Sequence, residues 1–175
     1  TQPPLFSRLS ASINILFIKF SKANNITLEE AYENEEENKE YIFDYLNCDG
    51  KEKKLKIFGT PYCQIFGNWA FMRTNSKLKE KFDEIPYDID VLISHSSPDI
   101  EEYGCIHYYG DKVYKNAGCP VLAEAIKEKK PKYVFCGHIH SGDHKLKEVD
   151  GTMFANVSYV DERYVERDNM LKIYL

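Results

Sequence analysis

Three of the five histidines in this sequence, His138, His140 and His144, fall within seven positions. His138 and His140 form an H-x-H pair, and side chains two residues apart in extended backbone point to the same side. Neutral imidazole nitrogens bind zinc, iron, manganese or nickel, so the pair could hold a metal ion. Gly137 precedes the pair, where it is expected to let the backbone turn tightly. An isolated H-x-H pair is also typical of exposed loop histidines. The flanking sequence indicates whether the pair belongs to a metal site or to an exposed loop.

A fourth histidine, His95, follows the apolar segment DVLIS, just as His138 follows YVFCG. Both segments have the pattern of strands that are buried on both faces of a sheet. In an open α/β sheet, sites form at the carboxyl ends of the strands. Two strands should therefore bring His95 and His138 to the same edge, which favours a metal site over exposed loop histidines.

Strands and helices alternate from Leu55 onward, which indicates an α/β layered core. Helix SKLKEKFDEI has Leu78 and Phe82 on one face, and a second helix runs from Pro120 to a stop at Pro131. The predicted strands are LKIFGT, DIDVLISH, KYVFCGH, GTMFANVSYV and MLKIYL.

Residues 1–54 differ in composition and are predicted to form a divergent N-terminal segment ahead of a domain at 55–175. The charged run that begins at Thr27 has the pattern of an acidic helix, with Thr27 as its cap, or of a linker. The segment SINILFIKF before it has the pattern of a strand.

Charge and composition argue against nucleic-acid binding and a membrane span, and they indicate the cellular location. The net charge is −5 and no long Lys/Arg run occurs, so no nucleic-acid surface is expected. The longest apolar run, INILFIKF, is too short to span a membrane. Five cysteines without C-x-x-C spacing predict reduced, mostly buried thiols and a cytoplasmic location.

Several ordered motifs resemble one known family. VFCGHIH resembles the terminal G-H-x-H motif of the calcineurin-like metallophosphoesterases, and DVLISHSSPD resembles their T-H-x-P-P motif. IFGTPYCQIFGNWAFM is similar to the G-[ST]-P…NWAF segment of a small branch, the metallophosphoesterase-domain proteins that are similar to class III cyclic-nucleotide phosphodiesterases. The segments EIPYDIDVLISH, GCPVLAEAIKEKKPKYVFCGHIHSG and FANVSYVDERY follow in that branch's order, so the resemblance covers about residues 55–160.

The resemblance implies a phosphate-ester hydrolase with two divalent metal ions (manganese, iron, zinc or nickel). By motif, His95 and His138 would ligate one ion and His140 the other. Asn156 would support the site, and Asn68 of the NW pair would help to shape its rim. The implied fold is the family's two-sheet sandwich, of which this sequence would hold the C-terminal half.

The family's other ligand motifs, D-x-H, G-D-x-x-D and G-N-H-[DE], do not occur in the expected places. Occupancy of the metal site is therefore doubtful, although Asp99 or Asp143 could substitute as ligands. Two classes of function stay open: a hydrolase that is expected to be inactive as this chain alone, because its missing ligands must be supplied from elsewhere, and a catalytically dead relative that serves as a binding or structural subunit. A half-sandwich would expose an apolar sheet face, so a homo-oligomer or a larger complex is expected to cover it. His144 and His107 are expected on surface loops.

Overall fold

A computed structural model describes residues 38–47, 49–68, 71–107, 113–141 and 145–166, without the side chains of 107, 113 and 114. The strands are β1 (Lys39–Leu46), β2 (Glu52–Thr60), β3 (Cys63–Gln64), β4 (Met72–Arg73), β5 (Val91–Ser94), β6 (Cys105–His107), β7 (Val113–Asn116), β8 (Tyr133–Cys136), β9 (Lys147–Val149) and β10 (Thr152–Asn156). The helices are α1 (Asn75–Asp83) and α2 (Pro120–Lys129), and a 3₁₀ turn spans Glu101–Gly104. The strands, helices and stops predicted between residues 55 and 156 are confirmed.

The described residues form a mixed α/β fold around a six-stranded sheet with the order β1-β2-β5-β8-β10-β9. The four central strands, β2, β5, β8 and β10, run parallel, while β1 and β9 pair antiparallel at the two edges. Because the central strands are parallel, all four of their carboxyl ends lie at the same side of the sheet.

Both helices pack on one face of the sheet. Leu78 and Phe82 of α1 are fully buried, as their spacing predicted, and join one apolar cluster with Leu122 of α2. The sheet contributes Leu92 and Val134 to the same cluster. Pro120 begins α2, and its last turn ends at Lys130 in a left-handed conformation directly before Pro131. This cluster fixes β5 and β8, the two strands that precede the histidines.

The opposite face of the sheet carries a second apolar cluster. Its buried members are Leu55, Ile57, Val91, Ile93, Phe135 and Ala155. Each exposes less than a tenth of its surface. This face is therefore buried in the structure, and the expectation that another subunit covers it stays a prediction.

The helix or linker predicted for the charged run is wrong for Lys39–Leu46, which form strand β1. The physical reason is a period of two: Tyr41, Phe43 and Tyr45 pack toward the second cluster while the residues between them face outward. Strand β2 spans Glu52–Thr60 and so crosses the predicted boundary after residue 54. The predicted strands SINILFIKF and MLKIYL, and the helix start at Thr27, lie outside the described residues.

Two further observations concern the described residues alone. Cys63, Cys105, Cys119 and Cys136 are all free thiols, and three of the four are buried, which agrees with the prediction for them. No helix in this part of the chain has the length and apolar character that crossing a lipid bilayer requires.

Candidate metal centre

The carboxyl ends of the four parallel strands form one aligned row of polar and small residues. Thr60 pairs with Ser94, Ser94 with Cys136, and Cys136 with Asn156. The row is buried, since none of the four exposes more than 3% of its surface. His95 follows this row directly, so the sheet register itself sets the position of the site.

His95 and His138 meet above this row, as their positions after β5 and β8 predicted. Their ring centroids are 4.7 Å apart, and the ring planes are tilted by 60°. The His95 backbone N–H donates to the carbonyl of Thr60 at 3.0 Å, which ties its strand end to β2. Two nitrogens that each bind the same metal ion at about 2.1 Å are no more than about 4.2 Å apart. The positions of the His95 and His138 rings allow two of their nitrogens to lie that close together.

The tight turn that Gly137 is expected to allow is present, and it is centred one residue later, on His138. His138 has a φ of 66°, whereas Gly137 has no positive φ. The Ile139 N–H donates to the Gly137 carbonyl at 2.7 Å, which closes a three-residue γ-turn centred on His138. A non-glycine residue in this region costs roughly 1–2 kcal/mol. His138 is therefore held in a strained conformation that glycine would adopt without that cost.

Three buried side chains hold this turn in place. Asn156 Nδ2 donates to the Ile139 carbonyl at 2.6 Å, and Ser158 Oγ donates to the same carbonyl at 3.0 Å. Ser97 Oγ donates to the Gly137 carbonyl at 2.5 Å. The contact of Asn156 is consistent with the supporting position that the resemblance implied. The supporting residues Ser97 and Ser158 were not predicted from the sequence. Ser97 lies two residues after His95 and Ser158 lies two residues after Asn156, and this spacing was the signal that could have indicated them.

Burial keeps the histidine pair neutral. Desolvation is the largest cause, with the charges of His138 and His140 as smaller ones, and together they lower the pKa of His95 to about 4. Desolvation and His140 also lower the pKa of His138. Both imidazoles are thus in the form that binds metal ions at neutral pH.

Unpaired polar atoms collect at the same place. Within the described part of the chain, His95 Nδ1, Thr60 Oγ1 and Ser94 Oγ are buried and have no hydrogen-bond partner. A buried polar atom without a partner costs free energy, so a ligand that binds it would stabilise this site. Because these buried polar atoms have no partner, His95 and His138 fit one end of a metal site.

A complete two-metal centre does not fit the described residues. They contain no group of three or more His, Cys, Asp or Glu side chains that could hold a metal ion. Catalytic zinc sites, for comparison, use three protein ligands. Asp99 is exposed and its carboxylate accepts from Asn116 Nδ2, so it is already engaged beside β7.

The other predicted site residues lie around this pair or outside the described part. His140 is half-buried and its ring packs edge-on against Tyr164, with centroids 5.5 Å apart. Asn68 is exposed on the loop after β3, two residues beyond Phe66. Phe66 itself contacts His138, with ring centroids 4.8 Å apart. Trp69, Asp143, His144 and the side chain of His107 lie outside the described residues.

Comparison with known proteins gives partial matches at low identity. A UPF0046 protein of Caenorhabditis elegans is 30% identical over 110 residues, which make up 62% of this chain and 38% of that protein. Human metallophosphoesterase domain-containing protein 1 is 29% identical over 113 residues, which make up 63% of this chain and 32% of that protein. The aligned part of the chain thus spans 38% and 32% of the length of these two relatives, or about a third.

No protein-family model matches the chain. Among solved structures, the one titled "GAP50 the anchor in the inner membrane complex of Plasmodium" matches with a TM-score of 0.43 and 11% identity, over 75% of this chain and 42% of that chain. The curated matches show that the chain is distantly related to UPF0046 proteins and to metallophosphoesterase domain-containing proteins.

Proposed function

We propose that this chain supplies the histidine side of the dinuclear metal centre of a calcineurin-like metallophosphoesterase. His95 and His138 hold one divalent ion and His140 contributes to the other. The observation that carries the proposal is the pair of neutral imidazoles, delivered by two separate strand ends to a position 4.7 Å apart. Chance loop histidines have no reason to meet above the aligned carboxyl ends of a parallel sheet.

The strained turn supports the same assignment. His138 adopts a φ of 66° although Gly137 is its neighbour, and three buried hydrogen bonds hold the turn. Residues held in sparsely populated backbone regions cluster at functional sites, where the surrounding structure fixes them. A packing role would be met at lower cost by a residue in an ordinary conformation.

The distant relation to metallophosphoesterase domain-containing proteins supports the reaction class, which is hydrolysis of a phosphate mono- or diester. The order of motifs between residues 55 and 160 supports the finer proposal, the branch similar to class III cyclic-nucleotide phosphodiesterases. On this proposal residues 55–175 are the C-terminal half of the family's two-sheet sandwich. The cytoplasmic location and the additional subunit stay predictions.

Each residue has a defined task in the proposed centre. His95 and His138 bind through neutral nitrogens, while Asn156, Ser158 and Ser97 keep the turn at its angle. A bound metal pair would supply Lewis-acid polarisation of the phosphate and a bridging water of lowered pKa. The described residues do not complete such a centre.

The alternative is an inactive relative that keeps the histidines within a binding or structural subunit. Two observations favour it: the missing D-x-H, G-D-x-x-D and G-N-H-[DE] motifs, and the lack of any three-ligand group among the described residues. An active centre would need carboxylate ligands that these observations do not provide.

Metal content and hydrolysis together test the proposal. The purified chain is dialysed against manganese, its metal content is measured by mass spectrometry, and hydrolysis of bis-p-nitrophenyl phosphate is followed in the same samples. We expect bound metal that is lost in His138→Ala and retained in His107→Ala, the matched control that removes a histidine outside the proposed ligand set. Turnover that is lost with the metal would support the hydrolase. Bound metal without turnover would support the inactive relative, and equal metal content in all three proteins would overturn the site.

A further inference from the structure

The two edges of the six-stranded sheet differ in length and regularity. Within the described residues, the sheet order ends at β1 on one side and at β9 on the other. Strand β9 has only three residues, and a short edge strand offers little backbone to another chain. Strand β1 has eight residues without proline, and it pairs with β2 from Lys39 to Leu46 without a register shift. A long, regular edge strand of this kind is able to pair with a further strand.

Alternate residues of β1 point their backbone groups away from β2. The Asn47 N–H donates to the Lys51 carbonyl at 2.9 Å, so this pair, which continues the register of β1 and β2, is a hydrogen-bonded one. Hydrogen-bonded and non-hydrogen-bonded pairs alternate in an antiparallel ladder, and the odd-numbered residues of β1 therefore bond to β2. The outward N–H and carbonyl groups belong to the four even-numbered residues, Glu40, Ile42, Asp44 and Leu46. Any further strand beside β1 must bond to these four residues.

The side chains of the same four residues are exposed. Ile42 and Leu46 expose 51% and 68% of their surface. Asp44 pairs with Lys54 of β2, with 3.1 Å between Oδ1 and Nζ. The other face of β1 carries the aromatic side chains that pack at the margin of the second apolar cluster, Tyr41, Phe43 and Tyr45. The strand thus presents apolar and acidic side chains on one face and aromatic rings on the other.

The sequence of β1 is complementary to itself in one antiparallel register. When Phe43 lies opposite Phe43 of a second copy, Ile42 lies opposite Asp44. Glu40 lies opposite Leu46 in the same register, so no two like charges meet and all four outward residues take part in hydrogen-bonded pairs. Shifting the register by two residues places Glu40 opposite Asp44, or Asp44 opposite Asp44, and both arrangements are repulsive. A shift by one residue sets outward backbone groups against inward ones and breaks the ladder.

We infer that two copies of this chain pair through β1, antiparallel and in this register, and form one continuous sheet. The two-fold axis at Phe43 is perpendicular to the sheet, so both copies keep their aromatic rings on the same face. Tyr41 of each copy lies opposite Tyr45 of the other, and cross-strand aromatic pairs stabilise a sheet. A single strand pair is a small interface, which makes the dimer a weak and reversible one. The second copy lies beside the sheet and not over either face, and the inference is independent of the proposed function.

Sedimentation equilibrium of the full chain measures the dissociation constant of the dimer, and residue 42 reports the register. Ile42→Lys sets a lysine opposite Asp44 of the second copy, and the symmetry repeats this pair. Ile42→Asp sets two carboxylates against each other at the same two places. We expect Ile42→Lys to dimerise about 2- to 30-fold more tightly than the wild type, and Ile42→Asp to dimerise more weakly by about the same factor.

Two sets of further variants separate the register from net charge. Val165→Lys and Val165→Asp are the matched controls, because Val165 is a similarly exposed apolar residue (57%) on the loop after β10. They change the net charge in the same way without altering β1, and their dissociation constants should differ little from that of the wild type. The double variant Ile42→Asp/Asp44→Lys restores opposite charges across the pair and should recover the affinity that Ile42→Asp loses.

The inference is overturned by three results. A chain that stays monomeric at the highest concentration reached would show that β1 does not pair with a second copy. Weaker association in both Ile42 variants, without recovery in the double variant, would rule out the Phe43 register. Equal changes in the Ile42 and Val165 variants would trace the effect to net charge. Tighter association in Ile42→Lys together with recovery in the double variant would support the proposed pair.

Discussion

Substitution of His138 tests whether its imidazole is kept for metal binding or for packing. The imidazole is half-buried and contacts the rings of Phe66 and His95, and such aromatic pairs contribute roughly 0.5–1.5 kcal/mol each. Against this stands the positive φ of 66°, which costs a side-chain-bearing residue about 1–2 kcal/mol and glycine nothing. The two ring contacts together contribute about 1–3 kcal/mol and the relieved backbone penalty is about 1–2 kcal/mol, so we expect His138→Gly to lower the free energy of unfolding by no more than about 2 kcal/mol.

His138→Ala is the matched comparison, because it also removes the ring but keeps the backbone penalty. At an ordinary position Gly is less stable than Ala by roughly 0.5–1 kcal/mol, whereas Ala is the less stable residue where φ is positive. We therefore expect His138→Gly to be the more stable of the two variants by up to about 1 kcal/mol.

Urea unfolding followed by circular dichroism measures both differences. A loss of more than about 3 kcal/mol in His138→Gly would show that the imidazole is a packing residue. A greater stability of His138→Ala than of His138→Gly would show that the strained turn is absent in solution. Either result would refute the reasoning that the strain is retained for chemistry.

Two further predictions concern the protein without metal. Desolvation and the charges of His138 and His140 lower the folded-state pKa of His95 to about 4 from 6.5. The unfolded chain thus binds the proton first as the pH falls, and stability present above pH 6.5 is lost toward pH 4, by roughly 3 kcal/mol. Relative to His95→Gln, the wild-type free energy of unfolding should fall by that amount between pH 7 and pH 4; a constant difference would contradict the buried neutral imidazole. Asn156→Ala removes the donor to the Ile139 carbonyl at 2.6 Å and should cost about 2–3 kcal/mol in urea unfolding, while the exposed Asn75→Ala should cost less than about 0.5 kcal/mol; equal effects would rule out the supporting bond.

The sequence predicted the parts of the site that follow from strand and helix patterns. The apolar runs before His95 and His138 defined β5 and β8, and the rule for parallel sheets brought the two histidines to one edge. Leu78 and Phe82 placed α1 for the same reason, since their spacing is a property of the local chain. These features need no knowledge of distant contacts.

The features that the sequence did not predict depend on long-range pairing or on single torsion angles. The charged composition around residues 39–46 predicts a helix or linker, whereas the alternation of Tyr41, Phe43 and Tyr45 is that of the strand which forms. The sequence indicates a tight turn beside Gly137 but not that it is centred on His138, where hydrogen bonds from Ser97 and Asn156 stabilise a positive φ. No local pattern reports such bonds.

The central claim is that His95 and His138 bind one metal ion together, and imidazole NMR tests it most directly. Long-range ¹H–¹⁵N spectra of the five histidines are recorded while Zn²⁺ is added to the chain. The account predicts that nitrogens of His95 and His138 shift together, with one common dissociation constant, and that the His95 shift disappears in His138→Ala. Shifts confined to other histidines, or separate constants for His95 and His138, would contradict a shared site.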